Sequence, residues 1–351
     1  MPKRYLGNII TDTPTAPAGP YENDAASGVW SLAEANAYTA AGLWPTAGNS
    51  QSIALFSSFY LTSGTISVNI DKVVIETTAN AVDFGDLTLA RYDSGAFGSN
   101  TRGIYVGGYN QSSLSQNVMD YVTFATAGNA TDFGDTITKT VGNACASSNT
   151  RGITSGGYDT DATTYLNTIE YVTIASTGNG TDFGDLTVAR GEAGGTCSSS
   201  TRGVFGGGFA TSADTNVIDY ITIASTGNAT DFGDLTVARD GVVSTGNATR
   251  GLWCGGRTST RINTIDYVAI ATTGNAADFG DLLYAAWYMG TAANSTTALV
   301  AAGSDGSTGY TNQIQSVTIG TLGNGVDFAD LTQSVSFNTG VSSGFEASQA
   351  A

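Results

Sequence analysis

The tetrapeptide Asp-Phe-Gly-Asp begins at Asp83, Asp132, Asp182, Asp231 and Asp278, and a sixth copy, Asp-Phe-Ala-Asp, begins at Asp327. Successive copies are separated by 49, 50, 49, 47 and 49 residues. A period of about 50 residues restricts the chain to architectures in which one supersecondary unit is copied and stacked, and it exceeds most helical solenoid repeats. The Asp-Phe-Gly of a phosphoryl-transfer site occurs once, beside a Gly-rich loop, a strand lysine and a His-Arg-Asp loop. This chain has no histidine. Multiplicity marks the motif as structural.

One unit, read from Asp240, runs DGVVSTGNATRGLWCGGRTSTRINTIDYVAIATTGNAADFGDLLYAA and holds four strand-like runs. GVVSTGN precedes TRGLWCGG, whose Gly pair permits a tight turn or close backbone approach. In NTIDYVAIAT, apolar residues fall on both faces of a strand. AADFGDLLYAA follows a Gly-Asn turn. Charged residues make up only 12% of the chain and Gly contributes 46 residues, which suits short strands joined by turns.

The phase of the repeat bears on how its ends meet. Arg102, Arg151, Arg202 and Arg250 follow the preceding Asp of DFGD by 19 or 20 residues, so the stretch between is the first strand of the next unit. After Asp327 that step reaches Glu346, five residues before the last one. QSVSFNTGVSSG, at Gln333–Gly344, is therefore a first strand with no unit after it. At the other end, SIALFSSFYL aligns with a second strand and VNIDKVVIE with a third. The C-terminal strand is expected to supply the missing first strand of unit one.

Hydrophobic runs ending in Gly-Gly (IYVGGY, ITSGGY, VFGGGF, LWCGG) and a later strand carrying Tyr121, Tyr171, Tyr220 or Tyr267 resemble kelch-type propellers. Phe of DFGD stands where kelch blades usually carry Trp. The resemblance implies an all-β fold: a six-bladed kelch-like β-propeller of four-stranded blades over residues 50–351, closed by the C-terminal strand.

Residues 1–49 do not repeat. TDTPTAPAGP should be extended, because proline fixes φ and disfavours helix at the preceding residue. In SGVWSLAEANAYTAAGLWP, Ser31 with Glu34 forms a capping box, Trp30 precedes it as a staple residue, and Gly42 stops the run. This predicts one short helix over Leu32–Ala41, packed on the ring as a plug or docked on a partner chain through Tyr5, Trp30, Leu32 and Trp44. MPKRYLGNIIT, the proline-bearing spacer and ASGVWSLAEANAYTAAGLWP, followed by repeats rich in GNATDFGDLT, resemble virion structural proteins of tailed bacteriophages, particularly of marine bacteria. That resemblance implies a non-enzymatic tail fibre or adhesin, or a capsid decoration protein, located in the virion. Its partners would be other virion proteins, with a host-surface glycan or receptor as a further ligand. A host-encoded kelch-like interaction propeller is the alternative.

The formal charge of −17 opposes the basic footprint of nucleic-acid binding. No apolar run has the length of a signal peptide or a membrane span, so synthesis in a host cytoplasm without membrane insertion is expected. Cys145, Cys197 and Cys254 lack metal-site or disulfide spacing and read as small core residues. Asn129, Asn179, Asn228 and Asn247 sit in N-x-S/T triplets but recur with the turns, which points to turn chemistry rather than glycosylation.

The repeated charges divide into Arg102, Arg151, Arg202 and Arg250; Asp120, Glu170, Asp219 and Asp266; and Asp83, Asp132, Asp182, Asp231, Asp278 and Asp327. Equivalent residues meet equivalent partners, so hydrogen-bonded ion pairs between strands or neighbouring units are expected. A calcium loop at the turns before DFGD is the alternative. No cofactor is implied. Copper chemistry of the galactose oxidase kind needs histidine ligands, and SDGSTG at Ser304–Gly309 is only a partial Asp box of the sialidase kind. A glycan-active enzyme using carboxylates is the less favoured remaining reading, since no Asp stands apart from the repeat.

Overall fold

The computed structural model describes the backbone of residues 3–5 and 29–31, and residues 51–344 apart from 113, 193–194 and 306–308. The chain divides into two compact units, Met1–Gln51 and Ser52–Ala351. In the first, Lys3–Tyr5 pairs antiparallel with Val29–Ser31, Arg4 opposite Trp30. Trp30 and Ser31, read from sequence as the entry to a helix, are thus strand residues. The expected helix over Leu32–Ala41, with Leu32 and Trp44, lies outside the described residues.

The second unit is all-β, with no helix among its described residues. Six large antiparallel sheets carry the repeat. The second sheet is ordered Gly95–Gly98, Arg102–Val106, Gln116–Thr123, Thr131–Thr140. The third is Ala144–Ser147, Arg151–Ser155, Thr168–Thr173, Thr181–Asp185, and the fourth Gly195–Ser198, Arg202–Gly206, Val217–Thr222, Thr230–Asp234. The fifth follows with Val243–Gly246, Arg250–Cys254, Thr264–Ala269, Ala277–Asp281. The sixth is Gly290–Ala293, Thr297–Ser304, Tyr310–Thr318, Val326–Ser336, extended by Tyr60–Leu61.

The first sheet draws on both ends of the repeat region. Its order is Thr339–Ser342, Ile53–Ser57, Asn69–Val74, Val82–Asp86. Leu55 lies opposite Val341 and Phe56 opposite Gly340, so the strand expected to lack a unit of its own pairs with the unit that lacks a first strand. An edge strand presents unpaired N–H and C=O groups, and this exchange covers the one at Ile53–Ser57.

Core packing occurs at six sheet-to-sheet interfaces. Leu55, Ile70 and Phe84 of the first sheet pack with Tyr105, Val122 and Phe124 of the second. The same pattern repeats between each following pair. The sixth sheet returns to the first through Leu299, Ala301 and Leu331 against Ala54, Phe56 and Val73. First strands contact one another in the same succession, and Thr339–Ser342 touches both Gly290–Ala293 and Gly95–Gly98. The third strands explain how one sheet serves two interfaces. In Thr264–Ala269, Ile265, Asp266 and Val268 are all buried, so both faces are covered.

Candidate functional site

Each repeated motif first has to be placed. The Phe of DFGD is 2–3% exposed in the first five copies, and in four of them, Phe133, Phe183, Phe232 and Phe279, it meets the ring of a third-strand tyrosine edge-on, as Phe133 does Tyr121 at 6.0 Å between centroids. Gly of DFGD has φ between 140 and 155°, and a Cβ at Gly134 would lie 2.5 Å from the carbonyl oxygen of Gly178 in the next sheet. That glycine lets the neighbouring Gly-Asn turn close on the strand. Phe133 accepts from Gly178 N–H at 2.8 Å, and Asn179 Oδ1 accepts from Asp135 N–H at 3.1 Å. Asn129, Asn228, Asn275 and Asn324 do the same for Asp86, Asp185, Asp234 and Asp281. Asn247 instead accepts from Thr249 and Arg250 N–H in its own turn. Turn chemistry accounts for all these asparagines.

The leading aspartates, Asp83, Asp132, Asp182, Asp231, Asp278 and Asp327, are exposed. Among the described residues no group of three or more His, Cys, Asp or Glu side chains is placed to hold a metal ion. Cys197 and Cys254 are buried and Cys145 partly so, all as free thiols; burial pushes Cys145 and Cys254 up to about 12.

Ion pairs are present, but the arginines singled out from sequence do not make them. Arg102, Arg151, Arg202 and Arg250 lie over the faces of Tyr121, Tyr171, Tyr220 and Tyr267 at 4.3–4.8 Å. Each then donates to a carbonyl of the next sheet, Ile174, Ile223, Ile270 or Ile319. The acids pair with a second set, the Arg ending each LT-x-AR run: Arg91 with Asp120 at 2.8 Å, Arg190 with Asp219 at 3.0 Å and Arg239 with Asp266 at 3.2 Å. All six side chains are 0–3% exposed. Threonine of the same run donates to each acid at 2.5–2.6 Å.

Where that arginine is absent, the acid changes with it in two cases of three. Thr140 replaces it in the second sheet, and the partner lengthens to Glu170, which accepts from Ile137 N–H, Thr138 N–H and the Thr138 hydroxyl. Ala286 replaces it in the fifth, and the partner is the neutral Gln315, accepting from Leu283 N–H. Val335 replaces it in the sixth; Asp71 keeps only Thr332, and burial holds its carboxyl above the usual range. A buried carboxylate without a cation is costly; the added hydrogen bonds of Glu170 and the neutral Gln315 moderate that cost, whereas Asp71 retains it.

A second set of six equivalent positions has no common residue type. Asp93, Gly142, Glu192, Gly241, Tyr288 and Phe337 repeat the spacing 49, 50, 49, 47 and 49, and every one is left-handed, with φ of 53–60°. Each precedes a first strand. Gly142 N–H donates to the Asp93 carbonyl, Gly241 to Glu192, Tyr288 to Gly241 and Asp93 to Phe337, at 3.0–3.2 Å. Glycine fits such a backbone freely; for other residues it costs roughly 1–2 kcal/mol each. Four of the six positions therefore hold a side chain at an energetic disadvantage.

Glu192, Tyr288 and Phe337 meet, and Asp93 lines the same cavity as the two aromatics. The Tyr288 hydroxyl donates to Glu192 Oε2, and the Tyr288 ring stacks on Phe337 at 4.0 Å. Asp93, 8% exposed, has its carboxyl pushed well up by burial and by the Glu192 charge. Burial likewise raises Glu192, opposed in part by the Tyr288 hydrogen bond. Tyr92 packs on Phe337 at 5.3 Å, and Trp287 on Tyr288 at 4.2 Å. Arg257 sits over Trp287 at 3.7 Å and forms a two-point pair with Asp240. Asp93, Tyr288 and Phe337 line a cavity of about 180 Å³ that continues along all six first strands.

Neither a protein-family model nor a curated protein sequence matches this chain.

Proposed function

We propose that residues 50–351 form a six-bladed, kelch-like β-propeller that acts as a non-enzymatic binding module of a bacteriophage virion. In this reading the C-terminal strand closes the ring, and residues 1–49 attach it to other virion proteins. The observation that carries the non-enzymatic part is the use made of the repeated polar residues. Arg102 and its equivalents, the buried Arg–Asp pairs and the turn asparagines are all engaged in ties from one sheet to the next. A scaffold stiffened in this way leaves its loops to vary, as DTDATTYLN and ATSADTNV do.

The virion assignment is supported by the resemblance over Met1–Pro45 and by the division of the chain near that boundary. A tail-fibre or adhesin role and a capsid-decoration role both fit it, with a host-surface glycan, receptor or virion protein as ligand. The test is a chain beginning at Gly48. It should fold as the full protein does and fail to join particles, read by mass spectrometry of purified virions; normal incorporation would move attachment to the sheets. One observation favours a carboxylate-based glycan-active enzyme instead, the buried Asp93 and Glu192 carboxyls whose charges act on each other, and hydrolysis of oligosaccharides lost in Glu192→Gln would establish it.

A further inference from the structure

At the end of the second strand of each repeat the chain makes one further rung of antiparallel pairing, centred on Tyr60, Tyr109, Tyr158, Phe209, Arg257 and Ser304. To one side, Tyr92 and Trp287 stand where the other repeats have Val141, Gly191, Asp240 and Ser336. To the other, Tyr165 and Tyr310 stand where they have Ile66, Ser115, Asp214 and Arg261. The Phe of DFGD and the turn asparagine recur in all six copies, because packing between sheets uses them. In these rungs no residue type recurs, so the fold itself accepts serine, valine or glycine there.

Aromatic side chains nevertheless fill eight of these eighteen positions, in a chain that is 10% aromatic. All eight are half-buried, whereas the DFGD phenylalanines of the first five copies are 2–3% exposed. Aromatic surface left open to water where the fold does not require it marks a binding surface. Four of the rings form a continuous strip across three sheets. Tyr310 of the sixth meets Tyr60 of the first at 6.2 Å between centroids, Tyr60 meets Tyr92 at 4.9 Å, and Tyr92 meets Tyr109 of the second at 5.3 Å. Phe337 packs against both Tyr60 and Tyr92, at 6.1 and 5.3 Å.

Charge and composition select the ligand. The eighteen positions hold two aspartates and two arginines, a balance of zero in a chain of net charge −17, and Asp240 is already paired with Arg257. Beside the strip, Asp93 is buried and Asp305 accepts from the Gly309 N–H. The surface therefore favours neither an anion nor a cation. Its aliphatic members are only Ile66 and Val141, too few to hold a lipid chain or the apolar face of a helix. Tyrosine joins a flat apolar face to a polar tip. A sugar ring has the matching pair, a face of C–H groups and a rim of hydroxyls that donate and accept.

We propose that the strip formed by Tyr310, Tyr60, Tyr92 and Tyr109 binds an uncharged oligosaccharide, with sugar rings on the tyrosine faces and sugar hydroxyls bonded to the phenols. This inference rests on the binding-module reading and deepens it by naming the surface and the ligand class; it does not require that the module belong to a virion.

The experiment presents the full chain to a printed array of neutral hexose and N-acetylhexosamine oligosaccharides, with sialylated and sulfated members as charged controls. Saturable binding to neutral members is expected, about tenfold or more tighter for a chain of several sugars than for the monosaccharide, because the strip crosses three sheets. Tyr92→Val and Tyr310→Ser introduce the residues that the third and second repeats use at these positions. Each should weaken binding of the best neutral member about tenfold or more while the melting temperature stays close to that of the parent. In the parent chain, the same oligosaccharide should protect Tyr60, Tyr92, Tyr109 and Tyr310 from nitration by tetranitromethane, a readout that needs no variant to fold. Binding of charged members only, of no member, or binding accompanied by no protection of these tyrosines overturns the proposal. A chain that joins particles yet retains no saccharide sinks this inference and spares the virion module. Hydrolysis of the bound saccharide would instead sink the non-enzymatic reading and leave the strip as its binding surface.

Discussion

Asn80 Oδ1 accepts a hydrogen bond from the backbone N–H of Asp330 at 3.2 Å, across 250 positions of sequence. The other five interfaces have the same contact between consecutive repeats, 41 to 44 positions apart. The long-range contact differs in one respect. The turn residue before Asn80 is Ala79 instead of Gly, and the DFGD glycine opposite is Ala329, which does not take the positive φ of its five counterparts. Two departures from the repeat, remote in sequence, share one interface.

Gly134→Ala tests the equivalent contact between the second and third sheets. The added Cβ would lie 2.5 Å from the Gly178 carbonyl oxygen at a φ of 140°. A loss of about 1–3 kcal/mol is expected in urea unfolding. Ala329→Gly, placed where no such contact demands glycine, should stay within about 1 kcal/mol of the parent.

Deletion of Gln333–Ala351 removes the partner of Ile53–Ser57, and with it Val335 and Val341 from two core clusters. Exposed backbone and lost apolar contacts both lower stability. Differential scanning calorimetry should show a melting temperature well below that of the full chain; an unchanged transition would assign no stabilising role to the exchanged strand.

Arg239→Ala strands Asp266 in a site where both side chains are 0% exposed. Removing one partner of such a pair costs about 3–5 kcal/mol. Arg239→Ala with Asp266→Gln reproduces the Ala286 and Gln315 solution of the next interface, and should recover a substantial part of that loss. A double variant no more stable than the single one would mean that the two sites do not respond to charge alike.

Asp71, Asp93 and Glu192 have carboxyls raised above their ordinary values of 3.8, 3.8 and 4.5, in each case chiefly by burial. A carboxyl raised in the folded state binds its proton more tightly there than in the unfolded chain. Its contribution is thus full below the unfolded value and is lost as pH rises through the folded one. The melting temperature should fall as pH climbs above the ordinary carboxyl range, and Asp93→Asn should flatten that fall. The groups around Asp93 that set its slope are Glu192, Asp240, Tyr109, Tyr288 and Arg257. A parent profile that rises across this range would contradict the assignment.

The repeat period, four strands per unit and the phase that leaves Thr339–Ser342 without a unit were legible in sequence, because a structural motif copied six times constrains spacing directly. The turn role of the asparagines followed from residue type, whereas the close approach at the DFGD glycine shows only when the next sheet packs on it. The ion pairs did not. Arg91 and Arg102 both recur at the repeat period relative to Asp120, so spacing cannot say which guanidinium reaches the acid; the Arg102 side chain is drawn over Tyr121 and Arg91 is enclosed beside Asp120 only once two sheets pack. The left-handed positions were hidden for a different reason. Asp93, Gly142, Glu192, Gly241, Tyr288 and Phe337 share a backbone conformation but no side-chain chemistry, so nothing in the letters marks them as equivalent. Sequence determined the local unit, which depends on contacts within about 50 residues. The tertiary structure decided what stands beside what at the convergence of the six first strands, where residues hundreds of positions apart become neighbours through packing alone.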